Sequence, residues 1–280
     1  SYSEFYRQKL RVAIVRANRG ESSRFDLIFQ QADGQLLTVD FSLNPVFDVK
    51  KNVSYLVPSA HDVTERRAAE RALTMLRVCN KSLILAQDEE ELLKNICQLV
   101  VNVGGYRMAW VGYAQHDAAK TIRPMAYDGF VGDFFNKIDV SWNENDMKGE
   151  GISGQCIRSG KAVVCRDIQL FEPSKPEFNL VKSLADKKGY RGAMAFPLRN
   201  EQRTFGTLVL FSATVLNVSD DEMSLLQELA DNLSFGIINL RAHLQRQQVL
   251  SAVYKIADGV SLSIGSAFFE KLVLSLTEAV

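Results

Sequence analysis

The sequence predicts an α/β fold of the α+β kind: a six-stranded, largely antiparallel sheet flanked by helices and continued by long connecting helices. Three observations carry this expectation. Apolar residues recur at helical spacing before Gly104, the period shortens towards two between Tyr106 and Ser212, and helical spacing returns after Ser219.

The chain opens with Leu10, Val12, Ala13 and Val15 interspersed among arginines and stopping before Gly20, which predicts a short helix over residues 5–18. Strands are expected at 25–30, 36–43 and 53–58, with Asp33 and Gly34 turning the chain between the first two. A helix and a three-stranded meander bury little apolar area alone, so this unit is expected either to lack its first half or to pack on something else.

Residues 64–86 contain neither Gly nor Pro, and Asp62 or Thr64 is placed to cap a helix there. Leu73, Leu76, Asn80 and Leu83 are spaced 3, 4 and 3, the spacing of a coiled-coil seam against a parallel partner helix. Asp88 then starts a second helix through residue 103. Its broad apolar face of Leu92, Leu93, Ile96, Leu99 and Val100 suits docking on a sheet, and Gly104-Gly105 ends it.

The six strands are expected at 106–114, 121–127, 138–142, 162–165, 192–197 and 204–212, with a hairpin turn at Asn200-Glu201 and short helices at 153–159 and 179–188. Ser219 followed by Glu222 forms a capping box. Leu226, Leu229, Leu233, Ile237, Leu240 and Leu244 then repeat at 3, 4, 4, 3 and 4, in a helix expected to reach Asp258. Only its first half is needed to cover the domain, so the rest projects. After Gly259 and Gly265, residues 267–280 read as a further amphipathic helix.

The chain has 280 residues, 46% of them hydrophobic, which favours more than one domain. Lys plus Arg and Asp plus Glu are equal at 33 each, so no net field gathers polyanions, and nucleic-acid binding is disfavoured. The longest apolar runs, such as Thr207 to Phe211, fall far short of a membrane span, and no direct membrane contact is expected. Arg7, Lys9, Arg11, Arg16 and Arg19 argue against a leader segment. Cys79, Cys97, Cys156 and Cys165 show no close pairing, which suits a reducing, cytoplasmic setting.

His61, His116 and His243 have no metal-ligand spacing, and no metal or cofactor is expected. Gly149, Gly151 and Gly154 lack the G-K-S/T that a phosphate loop requires. Cys156 and Cys165 can approach one another, but apolar Ile157, Val163 and Val164 around them favour small core thiols. A sheet with helices on one side and a long irregular segment, residues 128–151, on the other can leave a concavity. Trp110, Tyr127, Trp142, Asp167 and Tyr190 are the candidate ligand-binding residues, with the aromatic faces supplying apolar contact and the carboxylate fixing orientation. Asp167 has the alternative of holding a turn before Ile168.

The middle of the chain resembles a GAF domain, a small-molecule sensor fold of bacterial signalling proteins. The resemblance rests on Tyr106-Arg107-Met108-Ala109-Trp110-Val111-Gly112, on residues 151–160 (GISGQCIRSG), on Val163-Val164-Cys165-Arg166-Asp167-Ile168, on Gly189-Tyr190-Arg191-Gly192 with Phe196-Pro197-Leu198, and on the closing helix around Leu225-Leu226-Gln227. Residues 1–67, ending in Asp62-Val63-Thr64-Glu65-Arg66, resemble the C-terminal half of a PAS domain. Residues 250–280 resemble the opening of a second GAF domain.

The implied organisation is a partial PAS domain at 1–67, a linker helix at 68–86, a GAF sensor at 87–245, and a linker with the start of a second GAF domain at 246–280. The implied function is non-catalytic: sensory input and relay in a multidomain bacterial signalling protein. Its output is a diguanylate cyclase or phosphodiesterase of cyclic-di-GMP signalling, or a histidine kinase. A homodimer through the linker helices is expected, with Asn80 and Gln247 as polar interruptions holding two registers close in energy, and an unidentified small molecule as ligand. The rivals are a dimerisation scaffold without ligand and a thiol-based oxidoreductase.

Overall fold

The computed structural model describes residues 2–31, 36–129, 135, 139–170, 178–201 and 203–277. Its first unit is a helix, α1 (Tyr2–Asn18), followed by an antiparallel meander of β1 (Ser23–Gln30), β2 (Leu36–Phe47) and β3 (Val53–Asp62). Ala13 and Ala17 are small enough to let α1 lie close on Leu43, with Phe25, Phe41 and Leu56 around them. The expected turn at Asp33-Gly34 lies outside the described residues.

Helix α2 (Thr64–Leu85) leaves the meander through a tethered corner. The expected side-chain cap is corrected here, because the N-cap position is Val63. Asp62 instead accepts from the Thr64 amide at 2.9 Å and its hydroxyl at 2.6 Å, while the Thr64 hydroxyl oxygen accepts from the Thr38 amide of β2 at 2.8 Å. Side chains that satisfy the first-turn amide while also bonding to a strand fix the helix to the sheet as well as starting it.

Helix α3 (Glu89–Asn102) starts where expected: Asp88 accepts from the Glu91 amide at 2.8 Å. Past its end, Gly105 adopts φ 76°, a left-handed turn that glycine makes without Cβ strain. A second sheet follows, built from β4 (Met108–Ala114), β5 (Ile122–Gly129), β6 (Val163–Cys165), β7 (Gly192–Arg199) and β8 (Thr204–Ser212). Its order is β5-β4-β8-β7-β6, antiparallel throughout. Helices α4 (Ile152–Ser159) and α5 (Phe178–Lys188) lie between β5 and β7 in sequence.

The sheet has five strands, correcting the expected six. The missing one, residues 138–142, makes a single bridge between Ser141 and Thr121, and Ile138 lies outside the described residues. The Ser141 hydroxyl donates to the carbonyls of Ala119 and Lys120, both at 2.9 Å, and Asn143 and Asp146 turn the chain directly afterwards. Local side-chain bonds of this kind compete with a ladder and end it.

Helix α6 (Asp220–Thr277) is continuous for 58 residues, which corrects the expected break after Asp258. Gly259 and Gly265 lower helix propensity by about 1 kcal/mol each relative to alanine but do not terminate a helix by themselves. At its start the Ser219 hydroxyl accepts from the Glu222 amide at 3.2 Å, while the Glu222 carboxylate accepts from the half-buried Tyr106 phenol. Leu226, Leu229, Leu233 and Ile237 are fully buried, whereas Leu244, Val249, Leu250 and Val253 are exposed, so the helix does project past the domain.

Three residues of the α2 seam, Leu76, Asn80 and Leu83, pack within the chain, while Leu73 stays exposed. Leu76 is buried, the Asn80 side chain accepts from Asn232 of α6 at 3.1 Å, and Gly236 leaves room for Leu83. A Cβ on Gly236 would lie 2.5 Å from the Leu83 Cδ2. Gln247, the other expected interruption, meets His243 on its own helix at 2.9 Å.

One turn beyond Ile237, Arg241 is bound to the domain edge. Its guanidinium donates two bonds of 2.7 Å to the Glu89 carboxylate, which also accepts from the Tyr113 phenol at 2.7 Å. The same guanidinium lies 4.7 Å from the Tyr113 ring centroid and 5.6 Å from that of Phe205. Burial pushes the Glu89 carboxyl up, but the bonds from Arg241 and Tyr113 outweigh it and hold the group below its ordinary 4.5. A carboxyl depressed in the folded state stabilises the fold fully above its unfolded value, and that contribution disappears as pH falls through the folded value. Glu89→Gln is therefore expected to lower stability near neutral pH by about 1 kcal/mol, less than a fully shielded charged hydrogen bond contributes because Arg241 is half exposed. Urea midpoints of native and variant should converge well below pH 4.5.

Candidate functional site

Strict alternation along β4, β7 and β8 sends side chains to two separate cores. Ala109, Val111, Met194, Phe196, Leu198, Leu208 and Leu210 face α2, α3 and α6. Met108, Trp110, Ala193, Ala195, Val209 and Phe211 face the other way, under α4, α5 and the segment joining β5 to α4. That second face is the candidate site.

Its side chains form cross-strand rows. Strand pairing joins Val163 to Ala195, Ala195 to Val209, Val209 to Trp110, and Trp110 to Tyr127. A parallel row joins Cys165, Ala193, Phe211 and Met108. The two alanines make the β7 part of this floor low, and aromatic bulk rises on the β4 and β5 side.

Two expected site residues, Trp110 and Tyr127, thus stand directly opposite each other. Phe135 completes a trio, its ring centroid 5.2 Å from that of Trp110 and 5.3 Å from that of Tyr127. Nothing in the sequence pattern singles out Phe135, which comes from the segment without periodicity. Trp110 is buried while Tyr127 is about half exposed. The Trp110 indole N–H is buried and has no hydrogen-bond acceptor among the described residues. An unpaired buried donor of this kind costs roughly 1–3 kcal/mol.

Tyr190 lies on the same face, one row away: its ring packs 4.8 Å from Phe211 and its hydroxyl donates to the Met108 sulfur at 3.0 Å. Burial pushes its phenol up to about 12, so it stays a neutral donor. Trp142 packs at the margin, where its indole N–H donates to the Gln115 carbonyl at 2.9 Å and Lys120 sits 4.9 Å above its ring. Asp167 takes the turn role that was its alternative. Its carboxylate accepts from the Gln169 amide at 3.0 Å and from Arg191 at 2.8 Å, so it holds the turn beside Ile168.

All four cysteines are free and buried. Burial pushes the Cys156 thiol up to about 12 and that of Cys165 up to about 11, away from the thiolate form that acts as nucleophile. Cys156 instead receives a 3.6 Å contact from the Thr207 hydroxyl, which also donates to the Phe196 carbonyl at 3.1 Å. Among the described residues no group of three His, Cys, Asp or Glu side chains is placed to hold a metal ion, and no helix is long and apolar enough to cross a membrane. Open grooves lie elsewhere: one of about 910 Å³ between α2 and α6, and one of about 530 Å³ between α1 and β1.

The thiols give a direct check. Against an ordinary value of 9.0, a thiol at about 11 has roughly a hundredfold less thiolate at mildly alkaline pH. Alkylation of the native protein is expected to be slower than that of the urea-unfolded chain by at least this factor. Rapid labelling of Cys156 or Cys165 in the native protein would show a reactive site.

Comparison with known proteins agrees with this geometry. The family model described as GAF domain matches residues 86–237. The hybrid signal transduction histidine kinase D of Dictyostelium discoideum is 34% identical over 96 residues, which are 34% of this chain and 6% of that protein's length. Among solved structures, the free methionine-R-sulfoxide reductase of Neisseria meningitidis, in complex with its substrate, has 17% identity and a TM-score of 0.50, covering 62% of this chain and 93% of that one. The GAF domain of a phosphoenolpyruvate-protein phosphotransferase from Coxiella burnetii has 19% identity and a TM-score of 0.50, covering 62% and 97%. At these identities the solved structures speak for the fold alone. With the family model matching more than half of its length, the chain belongs to the GAF domain family.

Proposed function

We propose that this chain is the sensory input and relay segment of a larger signalling protein, and that it takes a small molecule on the Trp110 face of its GAF domain. The observation that carries the reading is the buried Trp110 indole N–H without an acceptor. A ligand presenting a carbonyl or carboxylate oxygen to that N–H, and a flat or apolar body to Phe135 and Tyr127, would satisfy the donor and bury the rings together. GAF domains occur in signalling proteins such as histidine kinases, generally as regulatory modules.

The relay runs through the sheet. Trp110 sits between Ala109 and Val111, which face the helices, so a shift of the indole is felt one residue away by the core that holds α2 and α6. In this reading residues 1–67 are the C-terminal half of a PAS-like domain, supported by a helix and antiparallel meander running into the tethered corner at Asp62 and Thr64. Residues 68–86 link it to the sensor at 87–245, and 246–280 are a connector opening a second GAF domain. Exposed Leu73 and Ile84 on α2, with Val249, Leu250 and Val253 on α6, support a homodimer in which these helices meet their copies. The output is a histidine kinase, in line with the matched relative, or a cyclic-di-GMP enzyme.

The high thiol values speak against oxidoreductase chemistry at Cys156 or Cys165. The remaining rival is a scaffold whose sensor face binds nothing. A thermal-shift screen of small carboxylates and heterocyclic carbonyl compounds is expected to yield a stabilising ligand whose affinity drops roughly tenfold in Trp110→Phe, which keeps an aromatic face but removes the donor. Equal affinity in native and variant would place the ligand elsewhere. Sedimentation is expected to show a concentration-dependent dimer that Val249→Glu with Val253→Glu dissociates; a monomer at all concentrations would remove the paired-helix part of the reading.

A further inference from the structure

We infer that the cluster of Glu89, Tyr113, Phe205 and Arg241 is a releasable clamp that sets the direction in which α6 leaves the domain. The inference deepens the proposed relay and rests on it for its biological meaning, but its physical content stands on the geometry of the cluster alone.

The clamp joins four elements at one point. Glu89 is the first residue of α3, Tyr113 lies near the end of β4, Phe205 near the start of β8, and Arg241 on α6. Arg241 comes one turn after Ile237, the last fully buried side chain of α6 among the described residues, and Leu244 beyond it is already exposed. No closer point to the exit holds the helix by a charged contact among the described residues. The grip is also directional, because a two-pronged guanidinium–carboxylate pair fixes angle as well as distance, and the two rings confine the planar group from the side.

Strand β4 connects the clamp to the sensor face. Trp110 and Tyr113 are three residues apart on it and project to opposite faces, with Gly112 between them. The pairing of β4 with β5 shifts register between Val111 and Gly112, in the interval separating the two aromatic residues. The extra residue there is Met125 of β5, and the pairing of β4 with β8 stays regular across the same interval, so β4 carries Trp110 and Tyr113 as one continuous strand. Displacement of Trp110 therefore has a short path to the Tyr113 phenol, and the Glu89 carboxylate divides its bonds between Tyr113 and Arg241. Loss of alignment at Tyr113 loosens the hold on Arg241, and the helix beyond it gains freedom to pivot.

The test needs no ligand, so a failed search for one leaves it intact. The native cysteines are all buried, so spin labels can be directed to Lys94→Cys on α3 and Gln248→Cys on α6 of the full chain, diluted with excess unlabelled protein to suppress distances between copies. Pulsed dipolar spectroscopy is expected to give one narrow distance on the background that keeps Arg241. With Arg241→Met, which keeps the stem and loses the guanidinium, the width should roughly double or the distance shift by several ångströms, and Glu89→Gln should move it the same way. Arg241→Lys, retaining charge without the fork, should fall between. Superimposable distributions in all of these folded variants overturn the clamp. If Arg241→Met does not fold, the Glu89→Gln and Arg241→Lys pair decides alone. A clamp that is confirmed while ligand leaves the distances unchanged would retain the device and remove its link to the Trp110 face.

Discussion

A sheet one residue thick, packed on both faces, is the constraint on which everything else in this molecule depends. Strands β4, β7 and β8 are buried on each side, so every second side chain belongs to the helix-facing core and its neighbours to the Trp110 face. Close-packed interiors have little slack to absorb a displacement. The two cores therefore share one backbone layer, and neither repacks without consulting the other. The alanines of β7 and the aromatic residues of β4 and β5 then give the Trp110 face its relief, low on one side and high on the other.

The polar groups fall into two kinds. Several buried or half-buried ones hold the fold: Asp167 with Arg191 and the Gln169 amide, Trp142 with the Gln115 carbonyl, Asn80 with Asn232, Glu222 with Tyr106. Trp110 departs from this pattern, being deeply placed yet without an acceptor among the described residues. The Arg191 Nε–H, beside the Asp167 turn, is likewise buried without an acceptor among the described residues, although the same guanidinium reaches Asp167 through its other nitrogen. The thiols, by contrast, behave as small apolar core groups and contribute packing.

Much of this was legible in the sequence because periodicity and capping are local. Asp88, Ser219 and the glycine pair after α3 each act over a few residues, and the corresponding elements begin or end where those residues stand. That Trp110 and Tyr127 share one face follows from their places on adjacent paired strands. What was not legible depends on tertiary context. Residues 138–142 have strand-like composition, but Ser141 is drawn to carbonyls of a loop twenty residues earlier in the chain. The spacing of Leu76, Asn80 and Leu83 announces a helical partner without saying which one, and Gly236 on the same chain supplies the fit. Asp167 had two readings in sequence, because a carboxylate beside aromatic residues looks the same whether it meets a ligand or an arginine; the structure shows the arginine. Phe135 had no periodic neighbours to mark it.

The unbroken course of α6 has a geometric consequence. From Leu240 to Thr277 it adds roughly 55 Å at 1.5 Å per residue. A tilt of only about 5° at its root would sweep the tip sideways by about 5 Å, close to one full turn of helix. The rod is thus a mechanical amplifier, turning sub-ångström rearrangement in a packed layer into a movement as large as a side chain.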